Sequence, residues 1–153
     1  MKKTLIILTV ILIGIQFIPA ERSNPPVTEE INTPSDIKAI LKKSCYDCHS
    51  NETKYPWYAY IAPVSYFVAS DVNEGRKRLN FSEWDKYDEK KRDKKLEAII
   101  EAVEEGEMPL SVYTLLHNDA ILDTARINIL KEWVKPGSTR DDYLLNGSNR
   151  EKD

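Results

Sequence analysis

The 153-residue chain has the length of one domain, and its 41% apolar content is enough to build a core. With 22 basic against 25 acidic residues and a net charge of −3, it lacks the positive field that binds nucleic acid, and no nucleic-acid partner is expected. Its two cysteines lie three residues apart, a spacing that a disulfide, a redox dithiol or a metal or cofactor site could use.

The chain opens with Lys2 and Lys3, followed by seventeen uncharged residues from Thr4 to Ala20. A basic end before an apolar run is the order of an export signal. Cleavage after Ala20 would put Ile18 at position −3, where a signal peptidase prefers a small residue. Residues 1–20 are therefore expected either to be removed or to stay as an N-terminal anchor, with 4–20 as a membrane tether at the lower edge of bilayer-spanning length. The basic end stays inside, which puts the rest on the periplasmic side of the cytoplasmic membrane. Residues 21–32 contain two adjacent prolines and no hydrophobic period, so they read as a linker.

The first helix of the domain is expected to start with Thr33 as N-cap, Pro34 at N1 and Asp36 at N3. Ile37, Ile40, Leu41, Ser44 and Cys45 then share one face. That helix delivers Cys45-Tyr46-Asp47-Cys48-His49, the C-x-x-C-H pattern of c-type haem attachment. Its spacing has a chemical reason, since each thiol can add across one vinyl group of the porphyrin while the adjacent imidazole ligates the iron. Two other chemistries use similar residues. A redox dithiol would need a strand before Cys45, where the spacing is helical. A zinc site could combine Cys45, Cys48, His49 and His117, but neighbouring Cys48 and His49 would strain the backbone to reach one tetrahedral ion.

Ser50 to Lys54 read as a polar turn. Tyr55, Trp57, Tyr58 and Tyr60 follow, four rings in six positions, which would make a sticky patch if all were exposed. Trp57 and Tyr58 are candidates to wall the haem. Pro63 opens the next helix, with Val64, Phe67, Val68 and Val72 at helical period. One of Arg76, Lys77 and Arg78 is a candidate partner for a haem propionate, with a solvated charge run as the commoner alternative. Asn80 to Trp84 read as a cap region with a buried aromatic pair, and Asp85 to Lys95 as the charged start of a helix. Leu96, Ile99, Ile100 and Val103 form that helix's buried face, and Gly106 ends it.

Met108 lies just beyond that stop and is the only methionine besides the initiator. Its thioether is a soft neutral donor suited to haem iron opposite histidine, and it is the candidate distal ligand, with His117 as the alternative. A last helix starts at an Asp123 N-cap, carries Ile127, Leu130, Trp133 and Val134, and ends at Pro136-Gly137. Residues 33–136 are expected to be the haem-binding domain and 137–153 a mobile tail.

Taken together, Cys45 to Asn51, Trp57, Ala62-Pro63-Val64, Asp71-Val72 with Gly75-Arg76, Leu79-Asn80-Phe81 with Trp84, Gly106 to Pro109, and Tyr113 to His117 resemble the small exported haem-binding domain family of bacteria. The resemblance spans about residues 37–133. It implies an all-α, cytochrome c-like module wrapped around one covalently attached haem c, with Cys45, Cys48 and His49 as attachment residues.

The expected function is one-electron transfer with His49 and Met108 on the iron, in exchange with redox donor and acceptor proteins whose identity the sequence does not give. A haem-based sensor or small-ligand binder with a displaceable distal ligand is the alternative. A peroxidase-like enzyme ranks lower, because it needs polar groups over an open iron and His117 is the only spare histidine.

Overall fold

The computed structural model describes residues 1–135, in which seven α-helices and four short 3-10 turns account for all regular structure apart from one isolated β-bridge. The helices are α1 (Lys2–Gly14), α2 (Ser35–Ser44), α3 (Tyr46–His49), α4 (Val64–Arg78), α5 (Glu89–Glu104), α6 (Ser111–Thr114) and α7 (Thr124–Val134). The fold is all-α. Residues 137–153, expected as a tail, and the Pro136-Gly137 stop lie outside the described residues.

The core forms where α2, α5 and α7 meet the Leu79–Trp84 segment, around Ile37, Leu41, Phe81, Ile99, Leu130 and Trp133. Tyr46, at the start of α3, stacks on Phe81 with ring centroids 5.2 Å apart. Asp88 and Asp123 cap α5 and α7 by accepting from Lys91 N–H (2.9 Å) and Arg126 N–H (2.8 Å). Helix α5 therefore begins at Glu89, later than Asp85, because Trp84–Lys86 is a separate 3-10 turn that places Trp84 in the core.

Three further sequence expectations change. Helix α2 begins at Ser35 with Pro34 as its N-cap residue, because the Pro34 carbonyl accepts the first helical bond, from Lys38 N–H (2.9 Å). Thr33 does not cap, and its buried Oγ1 has no hydrogen-bond partner among the described residues.

The expected linker is instead a strap laid along the domain. Thr28 N–H and Ile31 N–H donate to Ser82 O (3.0 Å) and Phe81 O (2.9 Å), Glu29 bridges Glu83, and Ile31 is buried. Backbone pairing with the Leu79–Trp84 segment holds a stretch that has no hydrophobic period of its own.

Helix α4 turns a different face inward from the one its large apolar residues suggest. Ser65, Ala69, Val72 and Gly75 are buried, whereas Val64 and Phe67 are exposed. Small side chains let α4 approach α3 closely. A Cβ on Gly75 would lie 2.6 Å from Cys48 O, a distance real Cβ atoms do not adopt.

Gly75→Ala is therefore expected to push α3 and α4 apart and to destabilise the protein by about 1–3 kcal/mol, as overpacking does. Thermal or denaturant unfolding checks this. Gly106→Ala, where a Cβ meets nothing within 4 Å but φ is +72°, should cost about 1 kcal/mol and leave the α3–α4 crossing unchanged.

Candidate functional site

Cys45 breaks the helical path between α2 and α3 (φ −129°), and its carbonyl accepts from Cys48 N–H (3.2 Å) and His49 N–H (2.9 Å). This single turn fixes both thiols and the imidazole relative to one another. The two cysteines are free thiols. Burial pushes Cys45 up to about 12, with the neighbouring Cys48 adding to the effect, and burial pushes Cys48 up to about 11. Both stay protonated near neutral pH.

His49 is held from one side of its ring. Its Nδ1 lies 2.9 Å from Gly75 O and 3.1 Å from Leu79 O. Both neighbours are carbonyl oxygens and can only accept, so Nδ1 carries the proton and Nε2 keeps a free lone pair. Burial also lowers the pKa of His49, which favours the neutral ring. A neutral imidazole oriented by a backbone carbonyl is the usual state of a metal-binding histidine.

Met108 reaches the same space through the end of α5. Glu107 N–H donates to Ala102 O (2.9 Å), the six-to-one bond of a Schellman ending, with Gly106 supplying the left-handed residue. Met108 N–H shares that carbonyl at 3.1 Å, so the Met108 backbone is fixed to the helix end.

A cavity of about 660 Å³ lies against these residues, and a second of about 340 Å³ adjoins it. Cys45, His49, Arg78 and Met108 line both, and Cys48 lines the smaller. The first has the size of sites that enclose a cofactor. Its apolar wall includes Leu79, Phe81, Ala98, Ile99, Ala102 and Val103, and its rim carries Lys86, Lys91, Lys94 and Lys95. Two thiols, an imidazole with a free lone pair, a thioether, an apolar wall and a cationic rim are the donor set and lining that a c-type haem needs. The residues fit the group.

The structure separates the candidate residues. Cys45, Cys48, His49 and Met108 share the site, whereas His117 lines neither cavity. The Nε2 of His117 is 2.8 Å from Tyr58 Oη, and its ring stacks on Tyr113 at 4.2 Å. The zinc set is therefore not assembled, and among the described residues no group of three or more His, Cys, Asp or Glu could hold a metal ion. Trp57 and Tyr58, expected as haem walls, are absent from both linings, because the 3-10 turn Trp57–Tyr60 buries Ala59 and leaves Trp57 74% exposed.

The basic cluster also divides. Arg78 faces the cavities, Lys77 pairs with Glu74 on the surface (2.6 Å), and Arg76 is a clamp. The Arg76 guanidinium donates to Ser50 O (2.7 Å), Ser23 O (2.7 Å), Asn24 Oδ1 (2.8 Å) and Thr53 Oγ1 (2.8 Å). It binds α4 to the strap and to the residues after His49.

Sequence reading missed further supports. Ser50, Asn51 and Thr53, expected in a polar turn, are buried. Asn51 N–H donates to Ser82 Oγ (3.0 Å), Asn80 Nδ2 to Asn51 Oδ1 (2.9 Å), and Ser82 N–H to Asn80 Oδ1 (3.0 Å). Tyr113 Oη donates to Asp47 Oδ2 (2.8 Å), which ties α6 to the motif, and burial followed by this bond raises the tyrosine pKa. The lysine rim had a visible signal: Lys91, Lys94, Lys95, Ala98 and Ala102 follow the helical period on one face of α5.

A family model described as a haem-binding domain matches residues 10–136. No curated protein and no solved structure matches.

Arg76→Lys, which keeps the charge but loses the fork, is expected to cost about 1–3 kcal/mol of folding stability. Lys77→Gln should stay within about 0.5 kcal/mol. Paired denaturant titrations distinguish a clamp from a solvated charge.

Proposed function

Since the chain belongs to the haem-binding domain family, we propose that it is an exported mono-haem cytochrome c-like electron carrier, with Cys45 and Cys48 as the residues that would attach the porphyrin and His49 and Met108 as those that would hold its iron. The observation that carries this reading is the convergence of both thiols, the neutral His49 imidazole and the Met108 thioether on the smaller cavity, which Cys45, His49 and Met108 share with the larger, apolar-walled one beside it. When bound, haem c supplies an iron that cycles between ferrous and ferric states.

The chain's own residues set the conditions for that cycling. Gly75 O and Leu79 O hold the His49 ring through Nδ1 and keep its Nε2 a donor. The Schellman ending of α5 positions Met108. Arg78 and the lysines of α5 would offer cations to the propionates, and the apolar wall would pack against the ring. Were His49 and Met108 both to hold the group, it would supply electron transfer rather than substrate chemistry. The protein is a binding module in this reading, working between a donor and an acceptor protein. Lys2, Lys3 and the uncharged run to Ala20 support a place outside the cytoplasmic membrane, where covalent attachment takes place.

Two measurements test the proposal. Wild-type protein co-expressed with haem-attachment machinery should retain its haem in acidified organic solvent, whereas Cys45→Ser with Cys48→Ser should release all of it. Covalent haem in the double variant contradicts the attachment assignment. Met108→Ala is expected to lose the weak red-edge band of the ferric spectrum, gain carbon monoxide binding, and lower the reduction potential by on the order of 0.1 V. Unchanged spectra and potential remove Met108 from the iron.

A further inference from the structure

Helix α1 has no buried residue, and its large side chains from Leu5 to Ile13 are all more than half exposed. It packs no core of its own. Yet the chain immediately after it is fastened to one corner of the domain. The Gln16 side-chain amide pairs with the Ala62 backbone, donating to Ala62 O (3.0 Å) and accepting from Ala62 N–H (3.0 Å). Tyr66 Oη lies 2.9 Å from Ile15 O and 3.0 Å from Ile18 O, and a hydroxyl can donate to either carbonyl. Arg22 donates to Ala59 O (3.0 Å) and lies 4.5 Å from the centre of the Tyr60 ring.

That corner is itself apolar and unpartnered. The sixteen residues from Tyr55 to Ser70 contain no charge. Within them Trp57, Tyr60, Ile61, Val64 and Phe67 are 74%, 60%, 47%, 42% and 67% exposed. Phe17 and Ile18, at the root of α1, are also exposed. Scattered exposed apolar residues are ordinary, but a run of this kind continuous with a naked apolar helix marks a contact surface.

We propose that residues 1–20 are retained and that this corner docks on a phospholipid bilayer, with α1 in the apolar layer and Trp57, Tyr60, Ile61, Val64 and Phe67 at the headgroup boundary. No helix among the described residues is long and apolar enough to cross a membrane. Lys2–Gly14 together with the 3-10 turn Ile15–Phe17 rises about 26 Å, short of the ~30 Å apolar layer. A tether this short, fixed at its root by Gln16 and Tyr66, draws the corner down to the lipid. Tryptophan and tyrosine have their preferred place at that boundary, and Arg22 brings a cation to the level of the phosphates. The same placement accounts for α4 turning its small residues inward and Val64 and Phe67 outward.

The test uses the full haem-loaded chain, reconstituted in phosphatidylglycerol–phosphatidylethanolamine vesicles containing a diazirine-bearing phospholipid, with adducts mapped by mass spectrometry. Adducts on the 57–67 segment should exceed those on the charged 89–95 segment by on the order of tenfold, the effect of transferring one large apolar side chain. In Trp57→Asp with Phe67→Asp, both exposed positions, adducts on 57–67 should fall by a similar factor while those on 4–20 persist and the Soret absorbance is unchanged. Adducts confined to 4–20 in the wild-type chain overturn the proposal, as does a mature chain whose mass begins at Glu21. In a parallel sample with a photoreactive amino acid at position 57, cross-links between two copies overturn it as well, because they assign the patch to a second copy of the chain.

Discussion

The site depends on one shared proton. Nδ1–H of His49 points at two backbone carbonyls, those of Gly75 and Leu79, at the end of α4. Backbone carbonyls cannot titrate and cannot rotate away, so the ring has one tautomer and one orientation. This requires α4 to end within hydrogen-bond reach of the motif. The requirement explains Gly75, where any side chain would collide with Cys48, and Arg76, whose guanidinium ties the end of α4 to Ser50 and Thr53.

The short C-x-x-C-H helix has only four residues and could not hold its geometry alone. It is tied from several sides. Tyr46 stacks on Phe81, Asp47 accepts from Tyr113, and the His49 carbonyl accepts from Phe81 N–H (2.8 Å). Behind it, Asn51, Asn80 and Ser82 satisfy one another's polar groups where water is excluded. Buried polar groups cost stability when unpaired and add rigidity when paired. The strap from Ser23 to Ile31 joins the same network, since Pro26 O accepts from Asn51 Nδ2 (2.9 Å).

Two helices each serve two surfaces. Helix α5 packs Leu96 and Ile99 into the core, while Lys91, Lys94, Lys95, Ala98 and Ala102, with Ile99 and Val103 beside them, line the cavity. Short alanine side chains leave room there, and long lysines form its edge. Helix α4 gives its small residues to α3 and its large ones to the exterior, beside the root of α1. The protein is thus organised with the cavity at the α3–α5 side and an uncharged corner where the N-terminal segment departs.

Local order in the chain determined the chemistry-bearing motif, the helical class, the Asp123 cap, the Gly106 stop and the place of Met108 just after it, because each rests on neighbours within one or two turns. The haem-binding family was legible for the same reason, its motifs being short runs of adjacent residues. Tertiary structure alone decided the rest. Whether Phe67 or Ala69 faces inward depends on how closely α3 approaches, which α4 does not encode by itself. His117 pairs with Tyr58 because chain segments 59 residues apart meet there. Pro26, Asn51 and Arg76 look like loop, turn and solvated charge in one dimension, and they become one hydrogen-bonded frame only when three distant segments converge. A hydrogen bond between remote residues leaves no period in the sequence, and that is why the donor atoms could be read early while the scaffold that aims them could not.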